Sequence, residues 1–140
     1  MKKIEIDTFL KFRFLSNPHF SPDGTKIAFT VSVPDRETNG YLSDLYLYDL
    51  GKKTVSRVTC AGDAKIWSWT AENTLIFPAA RTASLKKEKE NGTSFFYEIS
   101  PSGGEASCRA SVPASVTGIR LLPDRRYLLT IRHDNYKDTR

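Results

Sequence analysis

The chain has 140 residues, of which 39% are hydrophobic and 26% charged, and this is ordinary for a single soluble globular domain. No stretch approaches the roughly 20 apolar residues of a membrane-spanning helix. Residues 1–15 also lack the apolar core of a signal peptide, so we expect a cytoplasmic protein. The net charge of +5 is spread over scattered lysines and arginines, which does not favour nucleic-acid binding but leaves it as an alternative.

Residues 1–18 are predicted to be a lead-in segment. Asp7 or Thr8 can cap a short helix there. The apolar residues of this helix are expected to be core anchors: Phe9, Leu10, Phe12 and Phe14. Asn17-Pro18 is expected to end the segment, because proline disfavours the helical conformation of the residue before it.

Residues 19–60 form a first repeat with four predicted strands. The strands lie at 19–21, 26–33, 44–49 and 54–59. Ser21-Pro22-Asp23-Gly24 predicts a tight turn, because proline presets φ, aspartate bonds the turn backbone and glycine accepts a positive φ. Leu45-Tyr46-Leu47-Tyr48 alternates as a half-buried strand does.

Residues 61–112 repeat this plan. The predicted strands lie at 65–68, 74–79, 94–100 and 105–110, and Ala71-Glu72-Asn73 replaces the first turn. The charged residues 81–91 are interpreted as a solvated hairpin tip, and we assign no site to Arg81 or Glu88 within them. One of Trp67 and Trp69 is expected to face a neighbouring blade, with ligand stacking as the alternative.

Residues 113–140 offer only half of a third repeat. Strands are predicted at 117–122 and 127–133 around a Pro123-Asp124 turn, and the polar residues 135–140 add none. The sheet would therefore end on an open edge, which allows self-association. We expect the isolated chain to be marginally stable.

The repeat length identifies the fold class. Phe29 and Phe77 are 48 residues apart, and Pro22 and Pro123 are 101 apart. A period of roughly 40–50 residues built from short strands is typical of propeller blades, of which a closed ring needs roughly 4–8. The sequence therefore predicts an all-β partial β-propeller, with two four-stranded antiparallel blades plus half of a third, in WD40-like or TolB-like repeats.

The cysteines also follow this period. Cys60 and Cys108 are 48 residues apart, which would place them at the ends of the outer strands of neighbouring blades. Outer strands of adjacent blades splay away from each other, whereas a disulfide needs Cα atoms within about 7 Å. Two free thiols are therefore predicted. The alternative, that both are small buried residues, predicts the same.

The usual catalytic motifs are absent from the sequence. There is no GxSxG elbow, HExxH, P-loop or GxGxxG, and no CxxC pair for zinc. His19 and His133 are interpreted as surface or packing residues, so a nucleophile would lack a general base. We therefore assign no catalytic, cofactor-binding or metal-binding residue and expect no cofactor.

Three stretches carry a resemblance to a known family. They read LKFRFLSNPHFSPDG at 10–24, DLYLYDL at 44–50 with RVT at 57–59, and FYEIS at 96–100 with GGEA at 103–106. In this order they resemble the N-terminal propeller of the prolyl oligopeptidase family of serine peptidases, on its acylaminoacyl-peptidase and dipeptidyl-peptidase-like branch. The SPDG turn is also shared with TolB-like propellers.

The resemblance implies a function. In that family the propeller caps an α/β-hydrolase domain that carries the Ser-Asp-His triad, filters substrates by size and helps to hold the peptide's N-terminus. The chain would then be a non-catalytic propeller fragment, inactive alone, whose partners are the C-terminal hydrolase domain of its parent and short peptide substrates. The alternative is a TolB-like interaction module that is completed by oligomerisation or by a partner.

Overall fold

The computed structural model describes residues 3, 5–80 and 82–133. The chain divides into two compact units, Met1–Lys65 and Ile66–Arg140. The predicted polar extension at 135–140 and Arg81 lie outside the described residues. In the part of the chain that is described, no helix is long and apolar enough to cross a membrane.

The first unit is a 3₁₀ helix followed by a four-stranded antiparallel sheet. The helix is Ile6–Lys11, and the strands are β1 (Phe14–Phe20), β2 (Lys26–Asp35), β3 (Gly40–Asp49) and β4 (Thr54–Arg57). The strands pair in chain order, so each connection is a hairpin. The four predicted strands are confirmed, although β1 and β3 begin earlier than predicted.

The β1–β2 turn forms as its sequence predicts. Gly24 has φ of 72°, and its N–H donates to the carbonyl of Ser21 at 2.8 Å. The Asp23 carboxylate accepts from the backbone N–H of Thr25 at 3.0 Å and from the Ser21 hydroxyl at 2.6 Å. A short aspartate and a glycine therefore close this turn by local bonds alone.

The lead-in segment differs from its prediction. The helix has Glu5 at its N-cap, without a side-chain cap, so the predicted cap at Asp7 or Thr8 is wrong. Asn17 and Pro18 lie inside β1, where Asn17 has φ of 56° and the pairing with β2 shifts register. The shift is a β-bulge, which accommodates a proline that cannot donate to the ladder.

The aromatic residues of the lead-in are exposed, so their prediction as core anchors is wrong. Phe9, Phe12 and Phe14 are 47%, 53% and 39% exposed. The rings pack on one another at the surface: Phe9 and Phe14 have centroids 5.6 Å apart, and Phe14 meets Tyr41 edge to face at 6.0 Å. These side chains are apolar, but they pack on one another in a local aromatic cluster at the surface and not in the core.

The second unit contains a four-stranded sheet, a short helix and a separate hairpin. The sheet strands are β5 (Ser68–Trp69), β6 (Leu75–Pro78), β7 (Ser94–Ile99) and β8 (Ser107–Val112). The hairpin strands are β9 (Ser115–Leu121) and β10 (Tyr127–Arg132), and α1 (Ala83–Glu90) joins β6 to β7. With the first unit, this arrangement confirms the all-β partial propeller.

Helix α1 replaces the predicted hairpin tip at 81–91. The Thr82 hydroxyl accepts from the backbone N–H of Leu85 at 3.3 Å and caps the helix. Lysine and glutamate are good helix formers, so the charged run extends this nucleus rather than forming an irregular loop. Apart from a half-buried Leu85 the helix is exposed, so the predicted solvation of the run holds.

Alternation places the core where the sequence predicts it. Leu45 and Leu47 on β3 are almost fully buried, and Tyr46 and Tyr48, which alternate with them, are half-buried. In the second unit Leu75 and Phe77 are fully buried, and both tryptophans, Trp67 and Trp69, are buried as well. In β6 and in the second half of β3, a period of two therefore separates an inner from an outer face.

Candidate functional site

A cleft of about 360 Å³ opens on one face of the first sheet. Its lining side chains, all in the first unit, are Phe14, Ser16, Thr30, Ser32, Tyr41, Ser43 and Lys65. Four of the seven carry a hydroxyl on a serine or threonine, two are aromatic and one is a cation.

The strand register brings these residues together. Phe14 and Ser16 on β1 lie opposite Ser32 and Thr30 on β2, and Ser32 in turn lies opposite Ser43 on β3. Opposite partners and every second residue share one face of a sheet. The hydroxyl groups of three strands therefore converge on one patch.

A short extended segment adds the cation. Ser43 forms a parallel bridge with Asp63, in which Ser43 N–H donates to the Gly62 carbonyl at 2.9 Å and Ala64 N–H donates to the Ser43 carbonyl at 2.8 Å. Lys65 follows Asp63 by two positions and lines the cleft. The bridge therefore holds an exposed lysine at the rim of the cleft.

The floor of the cleft is polar and buried. Ser43 is 1% exposed and Thr30 3% exposed. The hydroxyls of Ser32 and Ser43 are 2.8 Å apart and hydrogen-bonded to each other. That bond uses one of their two hydroxyl hydrogens, so the pair can still donate to another acceptor.

The chemistry of the lining favours binding over catalysis. None of the seven lining residues is a histidine or a carboxylate, the usual general bases for a serine nucleophile. Hydroxyl donors, one cation and two aromatic walls are the components of a small-ligand site.

Sequence reasoning missed this cleft. Its sequence signal is the pair of hydroxyls at Thr30 and Ser32, on alternate positions between apolar neighbours. The remaining members come from β1, β3 and the segment after β4, and only the register of three strands places them side by side.

The residues that the sequence analysis considered individually lie in different units of the chain. His19 is exposed in β1 of the first unit, and His133 is exposed after β10 in the second. Glu88 is exposed on α1. Among the described residues, no group of three or more histidines, cysteines, aspartates or glutamates could hold a metal ion.

Both cysteines are exposed free thiols. The alternative of two buried small residues is therefore wrong. Cys60 follows the end of β4, whereas Cys108 is the second residue of β8. The prediction that both lie at the ends of outer strands is wrong for Cys108, because β8 begins and ends two residues later than the predicted strand.

Comparison with known proteins gives one curated relative. The uncharacterized peptidase YuxL of Bacillus subtilis is 26% identical over 133 residues. The match takes in 92% of this chain but only 19% of that protein, so the chain spans about a fifth of its relative's length. No family model matches the chain.

Two of the solved structures that superpose on this chain come from peptidases. The β-propeller domain of the Trilobed protease from Pyrococcus furiosus, described as having an open velcro topology, superposes with a TM-score of 0.59 at 15% identity. That match covers 86% of this chain and 34% of the other. Pyrococcus horikoshii acylaminoacyl peptidase superposes with a TM-score of 0.64 at 18% identity, over 93% of this chain and 19% of the other. The resemblance to the propeller segment of such peptidases is thereby confirmed.

Proposed function

We propose that this chain is the non-catalytic propeller segment of a cytoplasmic serine peptidase of the prolyl oligopeptidase family. Its partner in the parent would be a C-terminal α/β-hydrolase domain, and the parent would hydrolyse short peptides. The observation that carries the proposal is the match of 92% of the chain to a peptidase. The peptidase propellers that superpose on 86–93% of the chain support it.

The role proposed for the segment is control of substrate access. Blades arranged around a ring leave a central channel, and the width of such a channel limits what can pass. The two four-stranded antiparallel sheets, the element from which propeller blades are built, support this role. The cleft on the first sheet adds a place where a small ligand could be held without being cleaved.

The test uses the native gene product from its own cells, captured with an antibody to this segment. A fluorophosphonate probe, which reacts with activated serines, should label the captured product, and its intact mass should be several-fold above 15.8 kDa. The purified 140-residue chain, as the matched control, should remain unlabelled. A captured product of 15.8 kDa without labelling would overturn the proposal, as would inhibitor-sensitive peptidase activity of the purified chain.

A second candidate function is an interaction module that is completed by further copies of this chain. The observation that favours it is an exposed apolar face on the first sheet, opposite the cleft. Leu15, Phe20 and Val55 lie on this face and are 68%, 63% and 60% exposed. Burial of such side chains is favourable, so copies could assemble through this face.

Sedimentation velocity separates the two candidates. A defined oligomer that dissociates when Leu15 and Val55 are both changed to lysine would support the module. A monomer, or an aggregate of no fixed size, would count against it. Lys86→Gln on the exposed helix α1 is the control, since it changes charge away from the apolar face.

A further inference from the structure

The charge of the lining residues indicates whether the cleft favours a negatively or a positively charged ligand. Lys65 is its one charged lining residue. Among the described residues, no carboxylate lies within 4 Å of the Lys65 ammonium group. An exposed ammonium group at the rim of a hydroxyl-lined cleft favours an anion over a cation.

The hydroxyl groups on the floor of the cleft favour a small anion that carries a single negative charge. A hydroxyl donates well to a carboxylate oxygen, and the Ser32–Ser43 pair has a hydrogen to donate beyond their mutual bond. A phosphate group carries close to two charges at neutral pH and is usually held by several cations or by a helix N-terminus. The single lysine therefore matches a carboxylate better.

The aromatic walls of the cleft favour a ligand that also carries an apolar group. The Phe14 and Tyr41 rings meet edge to face, with centroids 6.0 Å apart, and both line the cleft. They present apolar surface beside the polar floor. A volume of about 360 Å³ lies at the low end of the range for ligand pockets, so the ligand would be no larger than one or two amino-acid residues.

We infer that this cleft binds a carboxylate that carries an apolar group next to it. The carboxylate would lie between the Lys65 ammonium group and the Ser32–Ser43 hydroxyls, with the apolar group against Phe14 and Tyr41. The inference rests on the proposed function in one respect only, namely that a short peptide would be the source of the carboxylate. That peptide could supply either its free C-terminal carboxylate or an acidic side chain.

The test is an NMR titration of the full 140-residue chain with two matched probes, N-acetyl-phenylalanine and its uncharged amide. The acid should bind with shifts at the cleft residues, and the amide about tenfold more weakly, as expected for the loss of one charge-assisted hydrogen bond. Lys65→Gln should weaken the acid to the level of the amide. Lys86→Gln on α1, where the lysine is also exposed, should leave binding unchanged.

Two further probes distinguish the source. N-acetyl-Ala-Phe has a free C-terminus, whereas N-acetyl-Glu-Phe-amide has only a side-chain carboxylate, and the tighter of the two identifies the source. Equal binding of acid and amide by the wild type, or no effect of Lys65→Gln, would overturn the inference. Fluorophosphonate labelling decides the proposed function separately, so each can fail while the other stands.

Discussion

Arg57 on β4 donates from Nη2 to Oδ2 of Asp44 on β3 at 2.6 Å, across the outer pair of strands of the first sheet. The Asp44 side chain is only 8% exposed, whereas that of Arg57 is half exposed. The other oxygen of Asp44 accepts from the Thr59 hydroxyl at 2.9 Å and from the Gly62 N–H at 3.1 Å. The hydrogen bond with Asp44 raises the pKa of Arg57. One carboxylate thus ties the chain after β4 back to the sheet.

Replacement of Asp44 by alanine should destabilise the first unit. It removes three hydrogen bonds and leaves the buried Thr59 hydroxyl without its acceptor. An unsatisfied buried donor costs about 1–3 kcal/mol, so the free energy of unfolding should fall by about 2–3 kcal/mol in urea titrations. Glu88→Gln on the exposed helix is the control and should shift the midpoint little. Equal midpoints for the two variants would show that the Asp44 network contributes nothing.

The Asp23 turn predicts a pH dependence of stability. The Ser21 hydroxyl, then the Thr25 N–H and the Thr25 hydroxyl, lower the pKa of Asp23 from 3.8 to about 2. Because the folded pKa lies below the ordinary value, the turn stabilises the fold above pH 4. This stabilisation is lost as the pH falls from about 4 to about 2.

Carboxyl chemical shifts in an NMR titration check this directly. Thr25→Ala should raise the pKa of Asp23 towards 3.8, because it removes one donor. Thr38→Ala is a matched control, since its hydroxyl is the main cause of the lowered pKa of Asp35 in the next turn. Each variant should move only its own aspartate; a shift of Asp23 in Thr38→Ala would refute the local origin of the effect.

Two leucines of the first unit should respond very differently to truncation. Leu45 is fully buried and Leu15 is 68% exposed. Leu45→Ala should cost about 2–5 kcal/mol of stability through lost burial and a residual cavity. Leu15→Ala should change stability by less than about 0.5 kcal/mol at concentrations where the chain is monomeric. Thermal unfolding followed by circular dichroism measures both, and a large loss for Leu15→Ala would mean that its face is covered.

Features that depend on a few adjacent residues were predicted from the sequence, whereas features that depend on residues distant in the chain were not. The turns at Gly24 and Asn73 formed as expected, with φ of 72° and 60°, because a few adjacent residues determine them. The alternation of Leu45 and Leu47 located the inner face of β3. Strand ends shifted, because they depend on a partner strand as well as on the strand's own residues.

The aromatic cluster and the cleft were not predicted because both depend on which residues the fold brings together. Apolar composition at Phe9 and Phe14 gave no information on what covers them, and the fold pairs these rings with each other. The cleft depends on the register that sets Ser32 opposite both Phe14 and Ser43, which no single stretch of sequence contains. Period-two patterns therefore predict the sheet better than the site on it.

The helix in place of the predicted hairpin tip provides the last test. Thr82 accepts from the Leu85 N–H and is the side chain that caps α1 (Ala83–Glu90) at its N-terminus. Loss of a threonine cap costs about 1 kcal/mol, and a helix of two turns has little stability of its own, so Thr82→Ala should unwind much of α1. Thr82→Ser keeps the hydroxyl and should retain the helix. Cα chemical shifts of residues 83–90 report the difference, and equal shifts in the two variants would show that lysine and glutamate hold the helix without the cap.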